Sequence, residues 1–189
     1  MIATLNAANP AYAGAVLHAW LVGCVAALYQ LRGHSKLVPV LAGAQSYRKS
    51  SWVSRLVAVV PGSALDCSIN SDKLGDVRRA VSAWIVELAE LENTTRHEAD
   101  SLKAILTRES DCFRLPYARC MTTKKRQTSF LATVNGTDFL RDTAGNARFA
   151  LIELFAAADM DGLNAILGWR CWLFISLTRR GFWMMGLLP

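Results

Sequence analysis

Apolar and polar positions divide the chain into segments of different period. Four short segments read as strands, over residues 37–42, 84–88, 128–134 and 149–154: three are largely apolar, and 128–134 is marked by its β-branched residues. Continuous apolar runs of this length, rich in Val, Ile and Leu, suit strands covered on both faces, as in a parallel sheet. Between them lie stretches with helical spacing. Residues 50–60 are closed by Pro61-Gly62, residues 76–83 carry Arg78 and Arg79, and residues 93–108 put Leu102, Ile105 and Leu106 on one face. Residues 63–75 are polar and turn-rich, and Pro116 with its neighbours predicts an exposed hairpin or loop over residues 112–120. Strands alternating with helices predict an α/β fold of three layers.

The two ends have a different character. Residues 1–31 carry no formally charged side chain. Asn9-Pro10 reads as an N-cap followed by proline at the first helical position, and residues 11–31 then read as an apolar helix. Its length approaches the ~20 residues that span a bilayer. The run is rich in Ala and Gly, contains His18 and has no basic residue ahead of it, which favours a helix packed on the following domain over a membrane anchor or signal peptide. From Leu163 onward the chain has three tryptophans and no acid, and Arg170, Arg179 and Arg180 interrupt its apolar character. The expected organisation is a helical lead-in over 1–36, a core over 37–155 and a divergent helical tail over 156–189.

Composition narrows the function classes. At 189 residues, 52% hydrophobic and 19% charged, the chain has enough apolar side chains for a packed core. Its five cysteines are irregularly spaced with no CxxC pair, which argues against a zinc site or a disulfide framework and for reduced thiols in a cytoplasmic setting. The net charge of +6 is concentrated in one window. Lys103, Arg108, Arg114, Arg119, Lys124, Lys125 and Arg126 stand there against only Glu109 and Asp111. Two readings fit that window, a polyanionic partner such as nucleic acid and a solvated surface.

The chemistry-bearing stretch is residues 37–56. An apolar run ends in Gly43, a loop follows, and Lys49-Ser50-Ser51 opens a helical pattern. Strand, loop and helix in that order is the setting of a phosphate-binding loop, in which backbone N–H groups and the helix N-terminus hold phosphate, a lysine neutralises it and a hydroxyl ligates magnesium. The pattern G-x-x-x-x-G-K-[ST] is met except that Arg48 stands where glycine belongs. The alternative is a strand ended by Gly43 with Lys49 as a solvated charge. Further along, Glu87 and Glu90 follow the run Trp84-Ile85-Val86. Acids at the end of a strand suit a metal and an attacking water; the same i, i+3 spacing suits the wet face of a helix.

Taken in order, these segments resemble the virulence-associated E family of phages and mobile islands, whose proteins carry a P-loop ATPase domain similar to superfamily 3 helicases, often joined to primase-like regions. Asn9-Pro10 to Ala26 is similar to the family's lead-in helix. Gly43-Ala44-Gln45-Ser46 and Lys49-Ser50-Ser51-Trp52 are similar to its Walker A loop, and residues 83–91 to its acidic Walker B segment. Leu102-Lys103, Leu106-Thr107-Arg108, residues 114–119, Asn135, Asp138-Phe139-Leu140, Asp142, Gly145-Asn146 and Arg148-Phe149 follow in family order, so that the likeness covers about residues 9–161.

The resemblance implies an α/β P-loop NTPase of the AAA+ or superfamily 3 helicase type. It implies ATP and Mg2+ as cofactors, with hydrolysis coupled to DNA binding or translocation on single-stranded or replication-fork DNA. A ring of identical subunits and a primase partner are further implied. Gly43, Gln45, Lys49, Ser50 and Ser51 would bind ATP, with Ser50 and Glu87 at the metal. Glu87 and Glu90 would serve metal and water, Asn135 would sense the γ-phosphate, and Arg148 and Arg141 would be finger residues reaching a neighbour's nucleotide. Arg114, Arg119, Lys124, Lys125 and Arg126 would line the nucleic-acid path. Departures from the family pattern are Arg48, Ala147 in place of one of two paired arginines, Asp72-Lys73 out of register, and a faint tail after Asp161. They leave open a second reading, a nucleic-acid-binding or interaction remnant impaired in turnover.

Overall fold

The computed structural model describes residues 1–29, 36–58, 64–66, 82–89, 104–113, 120–136 and 148–168. The strands are β1 (Val38–Ala42), β2 (Ala64–Asp66), β3 (Ile85–Ala89), β4 (Ser110–Phe113), β5 (Thr122–Lys125), β6 (Ser129–Val134) and β7 (Phe149–Glu153). Five of them form one sheet in the order β2-β3-β6-β1-β7, and β4 and β5 form a separate antiparallel pair. Every pairing within the five-stranded sheet is parallel. This is the α/β fold that the alternation of segments predicts, and it is consistent with a P-loop NTPase.

Burial explains why the runs at β1 and β3 show little alternation, whereas β7, at the sheet edge, is buried at alternate positions. β1 and β6 are buried at every position and β3 at all but its last, so side chains pointing either way enter a core. One face of the sheet presents Leu41, Ile85, Leu131, Ala150 and Ile152 to two helices, α1 (Pro10–Leu28) and α2 (Lys49–Val57), and to a helix over residues 160–168. The other face presents Val40, Ala42, Val86, Leu88, Phe130 and Val134 to Ile105 and Leu106 in a helical turn over 104–107. Layers on both faces are what an all-parallel sheet requires.

The lead-in helix begins as its sequence dictates. The Asn9 side chain accepts from the Tyr12 N–H at 3.0 Å, and Pro10 holds the first helical position. Ala13, Val16, Leu17, Trp20, Cys24 and Ala27 form the buried stripe of α1. Burial holds on this side only. Tyr12, Val22, Val25, Leu28 and Tyr29 face solvent, so the helix is a one-sided cover rather than a fully enclosed element. By length and composition α1 is the one helix among the described residues able to cross a membrane; here its inner stripe packs on the sheet.

Indole N–H groups taken out of water need acceptors, and those of the buried Trp20 and Trp52 and the half-buried Trp84 stitch the layers together. Trp20 donates to the Phe130 carbonyl at 2.8 Å, Trp84 to the Cys24 carbonyl at 3.1 Å, and Trp52 to the Thr4 hydroxyl at 3.0 Å. The N-terminal turn Ile2–Leu5 thus joins the same core, and Ala7 forms an antiparallel bridge with Leu154 beyond β7.

The expected helix over 50–60 is α2, beginning one residue earlier. The strand β2 falls within the stretch read as polar turns; three residues are too few to show a period. Of the hairpin or loop expected over 112–120, β4 overlaps the first two residues and β5 follows the span, while residues 114–119 lie outside the described residues. The helix expected over 76–83 lies almost wholly outside the described residues, as does most of that over 93–108.

Two measurements check this packing. Asn9→Ala should lower stability by about 1 kcal/mol, seen as a lower urea midpoint at unchanged slope; an unchanged midpoint contradicts the cap. Burial pushes the Cys24 thiol from 9.0 up to about 12. Peptide mapping after maleimide treatment at neutral pH should therefore find Cys112 and Cys120, which are exposed, modified and Cys24 intact.

Candidate functional site

The carboxyl end of β1 lies between two neighbours, and both fix it. The Gly43 N–H donates to the Val134 carbonyl at 3.3 Å on the β6 side, and the Leu154 N–H donates to the Ala42 carbonyl at 2.8 Å on the β7 side. The chain leaves β1 toward β2 on one side, while β7 lies on the other. Crevices at such reversals, outside the carboxyl ends of parallel strands, are where α/β sheets bind ligands.

The loop over residues 43–48 is built around Tyr47. Its N–H donates to the Ala44 carbonyl at 3.1 Å, its carbonyl accepts from the Ala158 N–H at 3.0 Å, and its hydroxyl donates to the Phe155 carbonyl at 3.1 Å. The ring lies so close to Gly43 that a Cβ there would stand 2.8 Å from Tyr47 Cδ2 and 3.2 Å from Leu154 Cβ. Glycine at 43 is thus a steric requirement of this loop.

Arg48 takes the left-handed conformation, with φ 55 and ψ 30, at the N-cap of α2. Asn6 is the other non-glycine residue of positive φ among the described residues. A side chain in this region costs roughly 1–2 kcal/mol. The backbone at 48 therefore keeps the shape that a glycine would adopt freely. The Arg48 side chain is exposed, so the replacement does not fill the loop with a guanidinium.

Lys49 points back into the loop and is only 6% exposed. Its Nζ donates to the carbonyls of Gly43 at 2.7 Å and Ala44 at 2.9 Å, and to Asn135 Oδ1 at 3.1 Å. The lysine and the asparagine, far apart in sequence, meet because β6 lies next to β1. Gln45, Ser50 and Ser51 are exposed around them. No side chain caps α2, and its first turn contains no acid. A helix start without a cap, beside a lysine, is a favourable place for an anion.

Glu87 lies within β3 and is 4% exposed. It sits one strand further away, with β6 between it and β1. Its Oε1 accepts from the Thr133 hydroxyl at 2.9 Å, and Thr133 precedes Asn135 by two residues. Asn135 and Glu87 are therefore linked through the carboxyl end of β6. Thr133 and Tyr47 escape sequence reasoning, since one is a polar residue in an apolar strand and the other occupies a variable position of the motif.

Other predicted residues lie elsewhere. Glu90, Arg141, Arg114 and Arg119 are outside the described residues. Arg148 precedes β7, whose first residue Phe149 pairs with Val38 while Glu153 pairs with Ala42. At about 3.3 Å per residue, roughly 17 Å of strand separates Arg148 from its own loop. Lys125 is exposed on β5, and Lys124 pairs in register with Asp111. Arg126 corrects the expectation of an exposed cation. It is 4% exposed, its guanidinium donates to the Ile105 carbonyl, and it lies 5.8 Å from the Phe130 ring centroid. Desolvated and turned inward, it braces the hairpin against the helical turn.

Two substitutions probe the loop. Arg48→Gly should raise stability by about 1 kcal/mol; a loss would contradict the left-handed backbone. Gly43→Ala should destabilise, and Tyr47→Ala in the same chain should recover part of the loss.

Among known families, the virulence-associated protein E-like domain matches residues 1–168. No curated protein matches the chain. Among solved structures, the apo C-terminal region of NrS-1 (305–718) superposes with a TM-score of 0.56 at 17% identity, over 79% of this chain and 38% of that one. A second crystal form of that region gives 0.52 at 16% identity, over 79% and 37%. The chain thus spans well under half the length of these structures, and at such identity the likeness concerns the fold. The matched span takes in the lead-in helix, the loop at Lys49 and the Glu87 and Asn135 strands, and the chain belongs to the virulence-associated protein E-like domain family.

Proposed function

We propose that the chain is an ATP-binding, helicase-like ATPase module of a phage or mobile-element replication protein, working on DNA in the cytoplasm. The observation that carries this reading is the meeting of Lys49 Nζ with Asn135 Oδ1 at the open end of β1, above an uncapped helix N-terminus. A nucleoside triphosphate offers oxygens to replace the carbonyls of Gly43 and Ala44 at Lys49 Nζ. Bonds from an ammonium to phosphate oxygens are charge-assisted on both sides and stronger than those to neutral carbonyls, so the exchange is favourable.

In this reading Ser50 and Glu87 would hold magnesium bound with the nucleotide. Ser50 offers a hydroxyl at the start of α2, and Glu87 offers a carboxylate fixed by Thr133. Mg2+ in such sites takes one or two protein oxygens and completes its shell with phosphates and water, and when bound it offsets the phosphate charge. Asn135, bonded to Lys49, would hold a water or a γ-phosphate oxygen. Arg148 stands at the amino edge of the sheet, so it serves a neighbouring subunit's nucleotide rather than its own. DNA meets the β4–β5 hairpin through Lys124 and Lys125. A primase partner would belong to the remainder of a longer protein.

Titration of the purified chain with MgATP tests the reading, wild type against Lys49→Ala. Binding by the wild type alone is expected; no binding by either favours the second reading, a DNA-binding remnant. If Arg148 acts between subunits, mixing Arg148→Ala with Lys49→Ala chains should yield more ATPase activity than either alone. Replacing both Lys124 and Lys125 by Ala should reduce the salt dependence of single-strand binding by about 1.4 log units per log unit of salt; an unchanged slope removes the hairpin from the DNA path.

A further inference from the structure

We propose that Phe155 is the stacking platform for the base of the bound nucleotide. This rests on the phosphate site at Lys49 and extends it from phosphate to base.

Phe155 follows directly on the residue that pins the loop. Leu154 donates its N–H to Ala42, and its Cβ lies 3.2 Å from where a Gly43 Cβ would stand. Both backbone groups of Phe155 are bonded. Its N–H donates to the Asn6 carbonyl at 3.1 Å, and its carbonyl accepts from the Tyr47 hydroxyl at 3.1 Å. Asn6 Nδ2 donates to the Ala157 carbonyl at 2.7 Å, and Ala158 donates to Tyr47. The segment is thereby clamped between the N-terminal strand-like stretch and the phosphate loop itself.

On this clamped backbone the ring is left in solvent. Phe155 is 65% exposed, although Leu154 at 7% and Ala158 at 3% are buried on either side of it. An aromatic ring held at a fixed point and withheld from the core presents a face for another flat apolar group. Bases stack on such rings without regard to their identity. The backbone that carries the ring is bonded through its carbonyl to Tyr47 of the proposed phosphate loop, which favours a nucleotide over a DNA strand. The basic hairpin adjoins the start of β6, at the amino edge of the sheet, whereas Phe155 follows the carboxyl end of β7.

The test compares MgATP with magnesium tripolyphosphate, which has the phosphates and no base, on the full chain. Phe155→Ala should weaken ATP binding about tenfold and leave tripolyphosphate binding unchanged, while Phe155→Trp retains ATP binding. Equal affinity of wild type and Phe155→Ala for ATP overturns the proposal, as does parallel weakening of both ligands. Loss of oligo-dT binding with ATP binding intact also overturns it, assigning the ring to DNA. Failure of the wild type to bind tripolyphosphate refutes the phosphate site itself, a result separate from any effect of Phe155.

Discussion

A buried ammonium has to be surrounded by oxygen, and Lys49 meets that constraint in a way that shapes everything near it. Among its acceptors are two carbonyls of its own loop and Asn135, which follows the adjacent strand β6. The loop must curl over the lysine for the carbonyls to reach it, and glycine at 43 makes room for the Tyr47 ring that holds the curl. The left-handed residue at 48 then turns the chain into α2. The sheet order has the same dependence. Only with β6 beside β1 does Asn135 arrive at the lysine, and only then does Thr133 hold Glu87 one strand beyond.

The loop is also tied to both ends of the described chain. Tyr47 bonds to Phe155 and Ala158, and those residues lie beside Asn6 and Thr4. The Asp159 N–H donates to the Thr4 carbonyl, while its carboxylate accepts from Gly162 at the start of the helix over 160–168. A change in the loop over 43–48 therefore has a short, hydrogen-bonded route to the N-terminal turn and to the last described helix. Trp52, buried in α2, bonds to the same Thr4 and secures the contact from beneath.

Much of this was legible in the order of residues because a single physical rule governed it. β1 and β3 are largely apolar runs since both their faces are covered, β6 is marked by its β-branched residues, and Asn9-Pro10 marks a helix start since side-chain cap and ring both suit it. The spacing of Gly43, Lys49 and Ser50 likewise located the loop. What escaped depends on tertiary partners. Arg126 reads as one more cation in a basic run until the Ile105 carbonyl and the Phe130 ring draw it inward. Arg48 reads as a spoiled motif until its φ of 55 shows the backbone shape retained. Tyr47 and Phe155 carry no pattern of their own, because their roles come from a contact between segments more than a hundred residues apart.

The central claim is that the loop over 43–51, as closed by Lys49, opens to accept a triphosphate. Hydrogen–deuterium exchange of the full chain with and without MgATP tests it most directly. The account predicts slowed exchange across residues 43–51, at Asn135 and at the Tyr47-linked residues 154–158. Unchanged exchange in the loop under saturating nucleotide, or protection confined to residues elsewhere, would contradict it.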